Sequence, residues 1–327
     1  MNREALKRSV LVLGVALCVP QAAMSADYPA KDVRMVVPWG AGGGTDAIVR
    51  KISTIAEQSL PVAIYVENIE GGLSATGVRQ VMTARPDGQT LTSLTYDSII
   101  TVPWQGLLPG YDLEKLQMIA QITSEPDALM VRADSDYQTL DDLIAAAKES
   151  PGEIPVGIQG LGSRVHLGML QLQEATGVEF KLVSYPAGAG PQKEALLSGE
   201  VEAAITSLGD FASLIQSGDV KGLIEFSDTP NPAFPDVPTA KDEGLDLRTG
   251  SFIIIAAPAG TPEDVVAKLE QTFQAAHQSE EFQTWLAEVG VTSAWRGSED
   301  ASTWASATQE EYFAIMQQLV DQGIIQK

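Results

Sequence analysis

The stretch VVPWGAGGGTDAIVR, residues 36–50, places four glycines in five positions between an apolar run and a patterned segment. The run Val33–Pro38 predicts a strand, and Thr45–Leu60 predicts a helix with Thr45 as its N-cap and Asp46 in its first turn. Such a turn exposes main-chain N–H groups at a helix N-terminus, where the helix dipole attracts anions. The stretch therefore predicts an anion-binding loop, and a tight turn that merely needs glycine is the alternative.

The rest of the chain continues to alternate short apolar strands with amphipathic helices. Further strands are predicted at Ala63–Glu67, Thr90–Tyr96, Ala128–Arg132, Pro155–Ile158 and Phe252–Ala257, and further helices at Ser74–Ala84 and Leu140–Glu149. A second glycine-bearing turn, GIQGLGSRVHL at 157–167, precedes another helix. In TPEDVVAKLEQTF, Thr261 is predicted to cap a late helix, with Pro262 at its first position and Asp264 completing a capping-box-like pattern. This order predicts an α/β fold with mainly parallel sheets, which bind ligands at the carboxyl ends of their strands.

Phosphate is the first anion to test against the glycine loop. A dinucleotide fingerprint needs a third glycine where Thr45 stands, although Glu67 could serve as its acidic partner. A P-loop needs a lysine at its end, and none lies between Lys31 and Lys51. Phosphate is therefore the weaker interpretation, and the exposed N–H groups suit any anion.

The N-terminus predicts export. Arg3, Lys7 and Arg8 precede an apolar run too short to span a bilayer, and small residues follow, so residues 1–26 are predicted to be a signal peptide. The cut is expected after Ser25 or Ala26, and Leu17 before Cys18 argues against a lipoprotein. Cleavage removes three cations and one anion, which takes the net charge from −22 to about −24. That charge excludes nucleic acids and anionic membrane surfaces as partners.

Ordered motifs from about Tyr28 to Gly290 resemble a known family. They are YPAKDVRMVVPWGAGGGTDAIVR at 28–50, VEN at 66–68, ARPDGQTL at 84–91, TLDDLIAAAKESPGE at 139–153, GLGSRVHLGML at 160–170, LLSGEVEAAI at 196–205, FPDVPTAKDEGL at 234–245 and APAGTPEDVVAKL at 257–269. In this order the motifs resemble the substrate-binding receptors of tripartite tricarboxylate transporters, the Bug receptors of proteobacteria.

The resemblance implies a two-lobed periplasmic-binding-protein type II (Venus flytrap) fold and no catalysis. Residues 27–127 with 250–327 would form one lobe, and 128–249 the other. The receptor, a monomer, would close on a small organic carboxylate and deliver it to a membrane permease. The resemblance places the ligand between the two glycine loops, and the residues expected to bind it are Trp39, Ala41, Gly42, Gly43, Thr45, Asp46, Ser74, Tyr96, Gly160, Gly162, Ser163, His166 and Thr206.

Three departures from the family pattern affect the expected ligand. Glu70 lies where relatives usually carry an arginine-containing loop, and it could repel a multiply charged ligand, meet an amino group, or simply be a solvated carboxylate. Thr206 stands where many relatives have an aspartate, and Thr206 and Ser207 would offer hydroxyls to the cleft instead. Gly250-Ser251-Phe252 replaces a common tryptophan–glycine pair. The ligand's identity therefore does not follow from the relatives.

The alternative function is an exported α/β hydrolase that uses Ser163 or Ser74 with His166. No serine lies in a G-x-S-x-G sequence, however, and no triad partner for His166 is evident. His166 and His277 show no metal-ligand spacing, so we expect neither a metal site nor a cofactor.

Overall fold

The computed structural model describes residues 28–42, 44–159, 162–185, 189–323 and 325. The predicted signal peptide, Gly43 and Gly160 lie outside the described residues. The strands are β1 Val33–Val37, β2 Ile64–Asn68, β3 Thr90–Leu94, β4 Leu116–Arg132, β5 Pro155–Ile158, β6 Lys181–Ser184, β7 Ala203–Ser207, β8 Val220–Glu225, β9 Gly250–Pro258 and β10 Ser293–Arg296. The helices are α1 Gly44–Glu57, α2 Ala75–Met82, α3 Val102–Trp104, α4 Leu140–Glu149, α5 Arg164–Thr176, α6 Ala189–Ser198, α7 Ala212–Ser217, α8 Glu263–His277, α9 Glu280–Glu288 and α10 Ser298–Asp321.

The strands form two sheets that share one strand. In the first sheet the order is β2-β1-β3-β9-β4, with β10 also paired to β4. In the second sheet β4 pairs with β7 and β8, and the order continues through β5 to β6. Strands β1, β2 and β3 are parallel, as are β5, β6 and β7, whereas the pairs made by β4 and β9 are antiparallel. The α/β prediction is confirmed.

Each sheet is covered on both faces by helices. On β1, Val33, Met35 and Val37 face the core under α1 and α8, and Val36 faces the opposite core. This double burial explains why the strand reads as a continuous apolar run rather than an alternating one. The second sheet likewise separates two apolar clusters, one of which includes Leu143, Val165 and Met169.

The chain passes between the sheets along β4 and again at the start of β9. Strand β4 is 17 residues long: Leu116–Pro126 pairs with β9, and Asp127–Arg132 pairs with β7 and β8. Only its second half, Ala128–Arg132, was predicted from the sequence. At the crossing the Asp127 N–H donates to the Thr249 carbonyl at 2.8 Å, so the two crossings lie side by side.

Two predicted helix caps are wrong. Thr45 lies inside α1, which begins at Gly44. Thr261 precedes the N-cap of α8, Pro262, and its hydroxyl donates backwards to the Pro258 carbonyl at 2.8 Å. In contrast, Thr139 and Asp142 form a complete capping box on α4, whose predicted bounds are confirmed.

Candidate functional site

The first glycine loop joins β1 to α1 at the carboxyl end of the first sheet. Gly42 has a φ of 81°, a left-handed conformation that favours glycine. Its N–H donates to Asp46 Oδ2 at 2.8 Å, four residues further on in the first turn of α1. Asp46 is only 3% exposed, so its carboxylate is part of the loop's internal structure.

Asp46 is the centre of a network that fixes this loop. Asn68, at the end of β2, donates from Nδ2 to Asp46 Oδ1 at 2.8 Å and to the Trp39 carbonyl at 2.9 Å. Arg50 Nε donates to Asp46 Oδ1 at 2.9 Å. Burial alone would raise the pKa of Asp46, but hydrogen bonds from Arg50, Gly42 and Asn68 outweigh it and hold that pKa below its ordinary value. Asp46 is therefore an ionised brace for the main chain between Trp39 and Gly42.

The second glycine loop joins β5 to α5 and is built in the same way. Gly162 has a φ of 76°, and its N–H donates to Nδ1 of His166 at 2.9 Å, again four residues further on. Ser163 is the N-cap of α5, where its hydroxyl accepts the His166 main-chain N–H. Burial lowers the pKa of His166, so the ring is neutral near pH 7 with Nδ1 as the acceptor.

The two loops thus share one construction, with a left-handed glycine tied to a side chain in the first turn of the following helix. The first turns of α1 and α5 each present main-chain N–H groups that have no partner inside the helix. With the positive end of the helix dipole, these groups form a site for an anion at each helix N-terminus. Neither arrangement uses a lysine or arginine at the loop tip.

The structure places the sequence-predicted residues in three settings. Ala41 and Gly42 are exposed, Trp39, Thr45, Gly162 and Ser163 are half-buried, and Gly43 and Gly160 lie outside the described residues. Asp46 and His166 are buried and act as braces for the loops. Ser74, Tyr96 and Thr206 are buried: Ser74 Oγ accepts from Ser98 Oγ at 2.9 Å, Tyr96 packs edge-on against Tyr312, and Thr206 donates to Asp210.

The hydrogen bonds do not assemble the hydrolase alternative. The ring of His166 accepts from the Gly162 amide, whereas Ser163 accepts from the main chain of His166. Ser74 is bonded to Ser98 on a different element. Within the described residues, no group of three or more His, Cys, Asp or Glu is positioned to hold a metal ion. No described helix is both long and apolar enough to cross a membrane.

Arg164, whose direction the sequence does not reveal, points to the crossing between the sheets. Its Nη2 lies 2.9 Å from Oδ1 of Asp127, which is fully buried. Oδ2 of Asp127 accepts from the Thr249 hydroxyl at 2.9 Å. Because Arg164 is the first residue of α5, this ion pair joins the second glycine loop to both crossings.

A cavity of about 150 Å³ lies beside the first glycine loop, between elements of the two sheets. From the first-sheet side it is lined by Gly44 and Ala47 of α1 and by the turn Val289–Thr292 after α9, and from the second-sheet side by the segment Ser207–Asp210. Glu125, at the crossing of β4, completes its polar wall. Sequence patterns pointed to Ser207, beside Thr206, as a hydroxyl for the cleft, but they did not indicate Glu125 or Asp210, which meet it only through the sheet topology.

Comparison with known proteins gives consistent similarities. A family model described as the tripartite tricarboxylate transporter family receptor matches residues 48–320. BugT of Bordetella pertussis is 29% identical, over 87% of this chain and 89% of its own length. A ligand-free TctC solute-binding protein from Polaromonas is 29% identical with a TM-score of 0.79, covering 89% of this chain and all of that one. An R. palustris protein solved with adipate is 25% identical with a TM-score of 0.75, covering 89% of this chain and 98% of that one. These similarities confirm the expected periplasmic-binding-protein fold class.

Proposed function

The chain belongs to the tripartite tricarboxylate transporter receptor family, whose members are solute-binding proteins, and we propose that it captures a small organic carboxylate between two lobes and delivers it to a membrane permease. The observation that carries the proposal is the pair of matching glycine loops at the N-termini of α1 and α5. The adipate held by the R. palustris relative is a ligand of this chemical class. The family is one of receptors rather than enzymes, and we expect no turnover.

In the proposed binding mode, each loop contributes main-chain donors to one side of the bound carboxylate. Gly42 and Gly162 direct their own N–H groups inward to Asp46 and His166, which leaves the following amides of each first turn for the ligand. Hydrogen bonds to a charged group contribute about 1.5–3 kcal/mol each, so two or three of them supply about 3–9 kcal/mol, and three strong ones reach micromolar binding. Neutral donors also suit release, because no buried cation is left unpaired when the ligand departs.

The proposed lobes are residues 27–127 with 250–327, and residues 128–249. The two side-by-side crossings at Asp127 and Thr249 support this division, since a pair of adjacent strands is a suitable hinge. The signal peptide at residues 1–26 would carry the receptor to the periplasm as a monomer. The mature protein is then expected to begin at Ala26 or Asp27, and an intact mass that matches the full chain would contradict this.

The binding mode is tested by two glycine substitutions on the same helix. Gly162 precedes α5 and Gly177 follows it; both have positive φ values, and a Cβ added at either would meet no atom within 4 Å. Gly162→Ala and Gly177→Ala should therefore lose similar stability, about 1–2 kcal/mol for a left-handed alanine. Only Gly162→Ala should weaken ligand binding, by at least tenfold, because it disturbs the loop that bonds to His166.

The ligand for this test comes from a thermal-shift screen of about a hundred organic acids, since a ligand at 100 times its Kd adds about 2.7 kcal/mol of stability. Titration calorimetry then gives the affinities of the two variants. If no acid binds, the proposed function is wrong. If Gly177→Ala loses as much ligand affinity as Gly162→Ala does, the loop before α5 does not contact the ligand.

A further inference from the structure

The cavity beside α1 differs from the glycine loops in the groups that it offers a ligand. Its walls are largely apolar, and the charged side chains among its described lining residues are the carboxylates of Glu125 and Asp210. Its neutral polar side chains are those of Ser207, Asn231, Trp285 and Thr292. Gly44, at the start of α1, lines the same cavity. One small space therefore adjoins both a helix N-terminus, which favours an anion, and two carboxylates, which disfavour one.

These acceptors are only partly used inside the protein. Glu125 accepts a hydrogen bond on Oε1 from the Thr123 hydroxyl at 3.1 Å, and Asp210 accepts on Oδ2 from Thr206. Among the described residues, the second oxygen of each carboxylate has no hydrogen-bond partner. Ser207 is only 6% exposed, and its hydroxyl neither caps the following helical turn nor bonds to another described residue. This hydroxyl lines the cavity wall and is available to hydrogen-bond a bound group.

Among the described residues that line the cavity there is no compensating cation. Arg164 is the basic side chain nearest to these acids, and it is paired with Asp127 at 2.9 Å. Burial raises the pKa of Glu125 to about 7, and the negative charge of Asp210 adds to the rise. A second carboxylate of the ligand placed here would face two acids with no positive charge among the described lining residues, although the side chains of Asn231 and Thr292 can donate hydrogen bonds.

We propose that the ligand carries a protonated amine as well as a carboxylate, and that the amine binds in this cavity against Glu125, Asp210 and Ser207. An alkylammonium has three N–H donors, which match the three unused acceptor groups. The carboxylate remains with the glycine loops, so the inference rests on the proposed function of that site. A cavity of about 150 Å³ holds a group the size of benzene, so the amine-bearing part of the ligand that enters it must be small.

Four-carbon acids that differ only in their polar groups test this directly. The probes are butanoate, succinate, 2-aminobutanoate and 4-aminobutanoate, titrated calorimetrically into the wild-type protein at pH 8. The better of the two amino acids should bind at least tenfold more tightly than succinate and butanoate. Glu125→Gln and Asp210→Asn should each reduce that preference at least tenfold, whereas Glu243→Gln, which removes an exposed carboxylate from the half of the protein that holds Asp210, should leave it unchanged.

The pH dependence separates a charge effect from a change of shape. The groups that face Glu125 are Asp210 from the turn after β7, Arg164 from α5, and Thr123 and Asp127 from its own strand. Glu125 ionises between pH 6 and pH 8, while an alkyl amine stays protonated. The preference for the amino acid over succinate should therefore rise across this range in the wild-type protein and stay flat in Glu125→Gln.

The proposal is overturned if succinate, butanoate or any other amine-free acid of the hundred-acid screen binds as tightly as the better amino acid. It is equally overturned if an amine-free acid binds and neither amino acid does. It is also overturned if the amino acid binds best but Glu125→Gln and Asp210→Asn keep the full preference. In each of these cases the receptor function survives, because an acid is still bound. That function fails only if no acid binds at all.

Discussion

Removing the carboxylate of Asp46 should destabilise the conformation of the first glycine loop. Asp46→Ala deletes the acceptor of hydrogen bonds from the Gly42 N–H, Asn68 Nδ2 and Arg50 Nε. The Arg50 contact adds only a few tenths of a kcal/mol, because that side chain is 45% exposed and the pair is an i,i+4 surface pair. The two remaining bonds to a buried carboxylate contribute about 1.5–3 kcal/mol each.

The expected loss of unfolding free energy is therefore about 2–4 kcal/mol, since the freed Gly42 N–H is exposed and can bond to water instead. Ligand affinity should fall at least tenfold, because Gly42 no longer holds the main chain in the conformation that presents the first turn of α1. Urea denaturation measures the first quantity and titration calorimetry the second. Asp141→Ala is the matched control: it removes an exposed first-turn acid from α4 and should change neither value by more than about 0.5 kcal/mol.

The pH dependence of the unfolding free energy tests whether the ionised carboxylate of Asp46 is the cause of the stability difference. The pKa of Asp46 lies below its ordinary value in the folded protein, so its contribution to stability is present above the unfolded pKa near 3.9 and is lost as the pH falls through the folded pKa. The difference in unfolding free energy between wild type and Asp46→Ala should thus be constant from pH 7 to about pH 5 and shrink towards pH 2. If Asp46→Ala retains full affinity at pH 7, the proposed brace is irrelevant to binding and the reasoning fails.

Three further outcomes are expected. Because burial lowers the pKa of His166, the neutral ring that accepts the Gly162 N–H is lost only as the pH falls below the unfolded value near 6.5. In a Glu125→Gln background, where Glu125 no longer titrates, calorimetric affinity should be constant above about pH 7, fall towards pH 5, and lose this fall when His166→Ala is added. Arg164→Ala should cost about 3–5 kcal/mol in urea denaturation because it leaves Asp127 buried without its cation, and adding Asp127→Asn should recover part of that loss. Small-angle scattering should show compaction at saturating ligand, and an unchanged radius of gyration would contradict closure of the lobes.

Local signals in the sequence were sufficient for much of the fold. The bounds of α4 were predicted as Leu140–Glu149, with its end at the Ser150–Gly152 break, because a terminating proline–glycine pair acts within a few residues. The capping box at Thr139 was not predicted, although it is an equally local signal. The cap at Thr45 failed for an equally local reason. Three glycines precede Thr45, and the helix begins at the last of them, Gly44. The carboxylate of Asp46, rather than the hydroxyl of Thr45, accepts the N–H of Gly42.

Long-range features could not be predicted in the same way. Strand β4 continues through Ser124, Glu125, Pro126 and Asp127, a polar segment that looks like the end of a strand when read from the sequence. It remains a strand because its neighbour changes from β9 to β7 and β8 at that point, which satisfies the main chain across the crossing. The same change of neighbour brings Glu125 into the wall that Ser207 and Asp210 complete.

In the proposed binding mode, recognition is divided between the two glycine loops and the acidic cavity. Both loops would bind through main-chain donors that are braced from behind by Asp46 and His166, and such donors accept any small carboxylate with little discrimination. Discrimination must then come from side chains that meet the rest of the ligand, and the cavity beside α1 is where two carboxylates and a hydroxyl remain unsatisfied. A succinate-like ligand would leave those groups unpaired and add its own charge to theirs, whereas an amino acid would satisfy them. Substitutions of Glu125 or Asp210 are accordingly expected to change the ratio of affinities for different ligands. Substitutions in the glycine loops are expected to weaken the binding of all ligands alike.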